Sequence, residues 1–436
     1  MKRLGIGAVF LFFCVEAALS FNPCLPGQVH IAYGDDVSKM IISWSTVNDS
    51  DSIVQYGLSV KALTLSQQGS STKFVDGGSE KRVQYIHRVD LKDLLPNTIY
   101  YYIVGSQLGW SATFHFKTMP AGEDWAPSLA IFGDLGSSNA QSLPRLVMDT
   151  SQGLYDAIIH VGDFAYDLAS NNGRVGDTFM DQIEPLASSV PYMTCVGNHE
   201  NAYNFSNYRY IFNMPNDNKK MYYSFNMGPV HFVSVSTEFF YFPYDGVQQI
   251  FDQYDWLVND LKEANKPENR IKRPWIIAFG HRPMYCSNND NDDCTSHESL
   301  VRVGVPKLKI KGFEDIFHET GVDVAIWAHE HSYERLWPMY NFKVMNGSYD
   351  HPYTNPGAVT QIITGSAGCS ERHEYFVKNP PAWSAVRNSD YGFTRMKVFN
   401  KTHIYFEQIS DDMNGKIVDQ FTLIKTSHGS YLKDNQ

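Results

Sequence analysis

The fold of this chain is most constrained by a series of short apolar runs that alternate with helical stretches after residue 128. Runs of this length, rich in β-branched and aromatic residues, are typical of buried strands. The intervening segments 247–263 and 308–320 carry apolar residues at helical spacing. Strands separated by helices predict a central sheet covered by helices, with functional groups at the strand ends. The six predicted strands cover residues 129–132, 157–161, 192–196, 231–235, 275–279 and 322–327.

Side chains that commonly bind metals follow five of these six runs. A single cluster of this kind has a plain structural interpretation, because Asp often caps a helix and Asn often occupies a turn. Together the clusters supply carboxylate, phenolate, amide oxygen and imidazole, which two adjacent metal ions require, and Asp163 is available to bridge the ions. The clusters are Gly133-Asp134, Gly162-Asp163-Phe164-Ala165-Tyr166, Gly197-Asn198-His199-Glu200, Gly280-His281 and Ala328-His329-Glu330-His331.

The N-terminal part has a different texture, with short alternating runs separated by polar turns between residues 24 and 120. About seven strands in about 100 residues predict a β-sandwich. The segment 94–102 resembles the corner and following strand of a fibronectin type III domain. Residues 118–122 contain Pro and Gly without an apolar period, which indicates a linker. The C-terminal segment 392–425 again shows short alternating runs separated by turns, which predicts β-hairpins.

The first 20 residues have the charged, apolar and small-residue parts of a secretory signal peptide, with cleavage predicted after Ser20. The alternative, a membrane anchor, is disfavoured because the apolar run is shorter than the ~20 residues that a span needs. We therefore expect a secreted, extracellular or secretory-pathway protein, with the lysosome as one destination. Four glycosylation sequons agree with that route, at Asn48, Asn204, Asn346 and Asn400.

The cysteine positions indicate a disulfide candidate, and the net charge limits the classes of partner. Cys286 and Cys294 flank a polar loop and are the best disulfide candidates. The formal net charge of −11 argues against nucleic acid or an anionic membrane as the main partner. Any anionic substrate must therefore be attracted by a local site.

The five clusters resemble the motifs of the purple acid phosphatases, within the wider binuclear metallophosphoesterases. Tyr166, at its spacing from Asp163, separates this family from phosphoesterases that lack the tyrosine, and Ala328 replaces a glycine of the family pattern. The layout is similar to that of animal iron/zinc purple acid phosphatase-like proteins. The fold expected is mixed: a signal peptide (1–20), a fibronectin III-like all-β sandwich (21–120), and an α/β, βαβ-built calcineurin-like metallophosphoesterase catalytic domain with a C-terminal hairpin region (121–436).

The resemblance also implies how the ligands divide between two ions. Asp134, Tyr166 and His331 would bind Fe(III), because hard anionic oxygen suits that ion. Asn198, His281 and His329 would bind a divalent ion (Zn, or Fe/Mn), with Asp163 between the two. His199 would act in catalysis by stabilising phosphoryl oxygens or protonating the leaving group. Some family members carry a His pair near the substrate after the residue matching His281, whereas this chain has a Ser-Asn-Asn-Asp segment at 287–290, and His297 is a weak candidate to compensate.

The function implied is that of a secreted purple acid phosphatase that hydrolyses phosphate monoesters at acidic pH through an Fe(III)–M(II) centre and metal-bound hydroxide. One alternative is a phosphodiesterase or nucleotide pyrophosphatase on the same centre. Another is a catalytically silent adhesion or binding protein. All seven expected ligand positions carry ligating side chains, which favours the enzyme.

Overall fold

The structure is a computed structural model, which describes residues 22–215, 220–243, 246–371 and 373–432. The predicted signal peptide and its cleavage site lie outside these residues. Among the helices within these ranges, none is both long enough and apolar enough to cross a membrane.

The N-terminal part is a sandwich of two antiparallel sheets. One sheet has the strand order β1-β2-β6-β5, and the other has the order β4-β3-β7 with β8 and β9 both paired to β7. The strands are β1 Gly27–Tyr33, β2 Met40–Thr46, β3 Ile53–Gly57, β4 Leu65–Gln68, β5 Ser70–Val75, β6 Val83–Leu91, β7 Ile99–Ser106, β8 Gly109–Trp110 and β9 Phe114–Lys117. The sequence predicted about seven strands; β4 and β5 are mostly exposed and polar, and β8 has two residues, so all three lack a clear apolar alternation.

The rest of the chain is built on two mixed sheets flanked by helices. The six-stranded sheet has the order β12-β11-β10-β24-β25-β26, and the seven-stranded sheet has the order β13-β14-β15-β18-β22-β19-β23. The strands are β10 Ser128–Phe132, β11 Ala157–Val161, β12 Tyr192–Cys195, β13 Tyr223–Met227, β14 Val230–Ser234, β15 Trp275–Phe279, β16 Gly304–Val305, β17 Ile310–Lys311, β18 Val324–Trp327, β19 Tyr333–Leu336, β20 Met339–Tyr340, β21 Lys343–Val344, β22 Thr360–Thr364, β23 Ser384–Asn388, β24 Gly392–Asn400, β25 His403–Ser410 and β26 Lys416–Ile424. The helices are α1 Leu143–Ser151, α2 Arg174–Ala187, α3 Ala202–Ile211, α4 Gln248–Ala264, α5 Pro267–Lys272, α6 Leu300–Val303 and α7 Glu314–Thr320.

The six apolar runs are the parallel strands β10, β11, β12, β14, β15 and β18 that the sequence predicted. Strands β10, β11 and β12 pair in parallel in the first sheet, and β14, β15 and β18 do so in the second. All six are almost fully buried, which explains their nearly continuous apolar composition. The carboxyl ends of these strands therefore meet where the two sheets face each other.

The two sheets approach each other closely at Gly133. Its backbone N–H donates to the Thr364 carbonyl at 2.9 Å, which joins the end of β10 to β22 of the other sheet. A Cβ at position 133 would lie 2.4 Å from the Cβ of Ala328, so glycine is required there.

One helix prediction was too long. The segment 308–320 forms helix only over Glu314–Thr320, and its first residues belong instead to the small β16–β17 ribbon. Lys309 has a left-handed φ of 58°, which interrupts any helix at that point. The predictions of α4 and of the C-terminal hairpins are confirmed, with Asn414 and Gly415 at positive φ in the last turn.

The sandwich packs on the second part through polar contacts as well as apolar ones. The hydroxyl of Tyr102 donates to the Ser188 carbonyl at 2.6 Å, just beyond α2, and the hydroxyl of Tyr33 donates to the Asp156 carbonyl at 2.7 Å. Arg82 pairs with Asp177 of α2 at 2.5 Å.

Candidate metal centre

Four of the predicted ligands stand on sharply turned backbone at the strand ends. Asp134, Asp163, Tyr166 and His329 have φ values of 58°, 53°, 51° and 71°, in the left-handed region that non-glycine residues seldom adopt. The Asp134 N–H donates to the Gly162 carbonyl at 3.2 Å, so the turns after β10 and β11 support each other. Strained backbone of this kind concentrates at functional sites.

Asp134, Tyr166 and His331 form one group. The Tyr166 hydroxyl lies 2.9 Å from Asp134 Oδ1 and 2.8 Å from His331 Nε2. His331 Nε2 is 3.5 Å from the same Asp134 oxygen. The structure thus brings together the three side chains that the resemblance assigned to the ferric ion.

Asp163, Asn198 and His281 form a second group beside the first. His281 Nε2 lies 3.1 Å from Asp163 Oδ2 and 3.0 Å from Asn198 Oδ1. His281 Nδ1 is 2.8 Å from the Val161 carbonyl, which holds the proton on Nδ1. His281 Nε2 therefore faces Asp163 and Asn198. A ring nitrogen of His329 lies within 4.8 Å of ligand atoms of Asp163 and His281.

The donor set fits two metal ions. Asp134, Asp163 and His281 are fully buried and His331 nearly so. Burial lowers the pKa of His281, but the charge and hydrogen bond of Asp163 outweigh burial and raise it to about 10. The buried carboxylates are therefore stabilised by positive charge in the site, which two cations bound to these oxygen and nitrogen atoms would supply.

His199 borders both groups. Its backbone N–H donates to Asp163 Oδ1 at 2.8 Å, and its ring lies 4.4 Å from that of Tyr166. Nδ1 is 2.6 Å from Asp167 Oδ1, while Nε2 is 3.9 Å from Asp163 and 3.7 Å from Glu371. Burial lowers the pKa of His199, but the hydrogen bond that His199 donates to Asp167 and the charges of nearby carboxylates raise it to about 9. The ring can therefore carry a proton and donate it at the edge of the site.

Glu200 has a role that the sequence analysis did not assign, although it completes the Gly-Asn-His-Glu motif. Its buried carboxylate accepts backbone N–H bonds from Asp163 at 3.0 Å, Phe164 at 3.0 Å and Gly197 at 2.9 Å. Burial and the charge of Asp163 raise its pKa to about 8. Glu200 thus ties the turn after β11 to the turn after β12.

Three further charged residues approach the ligand histidines. Arg282 Nη1 lies 2.8 Å and Asp292 Oδ2 lies 2.5 Å from His329 Nε2. Glu374 accepts the backbone N–H of His331 at 3.0 Å. Arg282 follows a ligand directly, but Asp292 and Glu374 come from loops whose positions no local sequence pattern indicates.

The loop after β15 is closed by a disulfide between Cys286 and Cys294, whose Cα atoms are 5.3 Å apart. Cys195, the last residue of the apolar strand β12, is a buried free thiol. His297 is exposed, and its ring packs against Phe342 and Trp383 at 5.3 and 6.2 Å. Among the described contacts none joins His297 to the ligand groups.

Known proteins share this architecture along the whole described chain. Three family models match in order: "Purple acid Phosphatase, N-terminal domain" over residues 26–118, "Calcineurin-like phosphoesterase" over 127–333, and "Iron/zinc purple acid phosphatase-like protein C" over 358–420. The chain is 52% identical over 422 residues to acid phosphatase type 7 of Danio rerio, with 95% of both chains covered. The chain belongs to the purple acid phosphatase family.

A human relative of this purple acid phosphatase, also named acid phosphatase type 7, is 52% identical over 416 residues, covering 95% of this chain and 94% of the human protein. Among solved structures, the purple acid phosphatase PPD1 from yellow lupin seeds superposes with a TM-score of 0.78 at 24% identity. It covers 93% of this chain and 75% of its own, and supports the fold. The predicted family and mixed fold class are confirmed, and membership implies a binuclear metal centre.

Proposed function

We propose that this purple acid phosphatase is an exported enzyme that hydrolyses phosphate monoesters at acidic pH. The observation that carries the proposal is the convergence of seven ligating side chains from five strand ends into two adjoining groups. Asp134, Tyr166 and His331 would hold Fe(III), and Asn198, His281 and His329 would hold zinc, iron or manganese. Asp163 would lie between the ions.

When bound, the two ions would supply a nucleophilic hydroxide and offset the charge of the phosphate. His199 would donate from Nε2 to a phosphoryl oxygen or to the leaving group, because Asp167 occupies its Nδ1 at 2.6 Å. Glu200 would keep the Asp163 and Asn198 turns in register through its three N–H bonds.

The test is the visible spectrum, metal content and activity of the purified protein. A tyrosinate bound to Fe(III) gives a charge-transfer band, so Tyr166→Phe should abolish or strongly shift that band. Tyr254→Phe is a matched control, because Tyr254 lies on α4 and is not among the ligands. An unchanged spectrum in Tyr166→Phe would remove the iron assignment.

Substrate assays separate the proposed reaction from its alternatives. Matched phosphate monoesters and diesters with the same aryl leaving group should show faster turnover of the monoester below neutral pH. Faster diester turnover would favour a phosphodiesterase or nucleotide pyrophosphatase. Protein that binds no iron and hydrolyses neither ester would instead be a silent binding protein.

Export and glycosylation are part of the same proposal. Asn48 and Asn400 are exposed, Asn204 and Asn346 are half-buried, and disulfides such as Cys286–Cys294 persist in oxidising compartments. A secretory host should release the protein into the culture medium. The mass of this protein should fall after enzymatic removal of N-glycans. N-terminal sequencing should begin at Phe21; an intact Met1 in the medium would contradict the predicted cleavage.

A further inference from the structure

The side chain of His329 differs from the other two ligand histidines in what faces its Nε2 atom. In His281 and His331, Nε2 faces the ligand oxygens of Asp163 and Asp134 respectively. In His329, Nε2 faces Asp292 Oδ2 at 2.5 Å. The loop carrying Asp292 is closed by the Cys286–Cys294 disulfide.

The chemistry of this contact fixes the tautomer of His329. A carboxylate only accepts hydrogen bonds, so an N···O distance of 2.5 Å requires the proton to be on Nε2. Arg282 Nη1, 2.8 Å from the same nitrogen, can only donate, and a protonated Nε2 cannot accept from it. The guanidinium therefore directs its proton to Asp292 Oδ2, at 3.3 Å. A neutral imidazole with its proton on Nε2 has its free electron pair on Nδ1.

The carboxylate of Asp292 is in turn held from both sides. Arg282 is anchored by the buried carboxylate of Glu238, at 3.1 Å from Nε, and lies over the ring of Tyr241 at 4.4 Å. The hydroxyl of Tyr241 donates to the neighbouring Asp293, which also accepts the Leu300 N–H at 3.0 Å. A chain of opposite charges thus runs from Glu238 through Arg282 and Asp292 to His329.

We propose that Asp292 is a positioning residue for the divalent site, an inference that rests on the proposed function. By accepting a hydrogen bond from Nε2–H, Asp292 orients His329 and presents Nδ1 as the metal-binding atom. Carboxylate partners of this kind make a ligand imidazole more basic and fix its orientation. The disulfide-closed loop is therefore part of the metal site even though it supplies no ligand to the metal.

The test measures release of the divalent ion from purified holoenzyme into a chelator, alongside iron content and the visible band. Asp292→Ala should weaken divalent binding roughly 10- to 100-fold while iron and the band are retained. Asp292→Asn should lose less, because its amide oxygen can still accept a hydrogen bond from Nε2–H. Asp290→Asn is the matched control: it removes the same charge from the same loop, where Asp290 accepts hydrogen bonds from the Asp292 N–H and the Thr295 hydroxyl, and no histidine hydrogen bond to Asp290 occurs among the described residues.

The outcomes separate this inference from the proposed function. If Asp292→Ala released the divalent ion at a rate within about twofold of the wild-type rate, the inference would be overturned and the proposed phosphatase function would still stand. Equal loss of iron and divalent ion in Asp292→Ala, or equal loss in Asp290→Asn, would show a general structural role and overturn it as well. If Asp292→Ala is not secreted, Asp292→Asn carries the same comparison. Wild-type protein without metal or hydrolysis would overturn both proposals.

Discussion

Replacing Glu200 with Gln tests how the turns that carry the ligands are held. The two carboxylate oxygens divide their work: Oε2 accepts the N–H groups of Asp163 and Gly197, and Oε1 accepts that of Phe164. The carboxamide of Gln has one acceptor oxygen. If that oxygen takes the position of Oε2, an NH₂ group faces the Phe164 N–H, and this buried donor loses its partner.

The expected cost follows from that count. A buried donor left without a partner costs about 1–3 kcal/mol, so Glu200→Gln should lower the free energy of unfolding by about that amount. Glu200→Ala leaves three such donors, and we expect a loss roughly two to three times larger. Because the same N–H groups shape the turn of Asp163, both variants should also release metal faster than wild type.

Thermal melting of chelator-treated protein measures the first effect, and timed release of metal into a chelator measures the second. Glu268→Gln is the matched control, since Glu268 is an exposed residue of α5. Equal melting temperatures for wild type and both Glu200 variants would refute the reasoning. So would a Glu200→Ala variant more stable than Glu200→Gln.

Four other variants test separate parts of the structure. His329→Ala should empty the divalent position and His331→Ala the ferric one, so metal analysis that finds the same ion lost from both would contradict the division of ligands. Asp323→Asn should destabilise the protein by about 3–5 kcal/mol in thermal melting at neutral pH, because it leaves a buried cationic partner unpaired. Burial raises the pKa of Asp323, but its cationic partners outweigh burial and lower it below the ordinary value, so the wild-type advantage should persist above pH 4 and disappear only as pH falls further. Gly133→Ala should cost about 1–3 kcal/mol, because its Cβ would lie 2.4 Å from that of Ala328; melting unchanged from wild type would show that the sheets can separate.

The ligand groups could be predicted because each depends on local order. An apolar strand followed at once by a ligating residue is visible in a dozen residues, and parallel strands bring their carboxyl ends together. Asp134, Asp163 and His281 are placed in this way, each two residues beyond the end of its strand. Their positions need no information about distant loops.

The surrounding residues could not be predicted because their positions depend on distant parts of the chain. Asn288 forms an isolated bridge with Phe376, and this pairing of two loops brings the segment containing Glu374 to the site. Asp292 lies in the same disulfide-closed loop, and nothing in its neighbours distinguishes it from Asp290. The helix prediction over 308–320 failed for a related reason, since Ile310 is buried in the β16–β17 ribbon and satisfies the same apolar spacing.

The distribution of the ligands over two sheets has a consequence for how the protein matures. Asp134, Asp163 and Asn198 follow strands of the first sheet, whereas His281 and His329 follow strands of the second. A growing chain has the first three long before it has the last two, and His331 comes later still. Both ions can therefore be bound only after the chain has been synthesised beyond β18, so we expect metal loading late in biosynthesis. In an exported protein that event would fall within the secretory pathway, where the supply of iron and of the divalent ion would decide how much active enzyme is made.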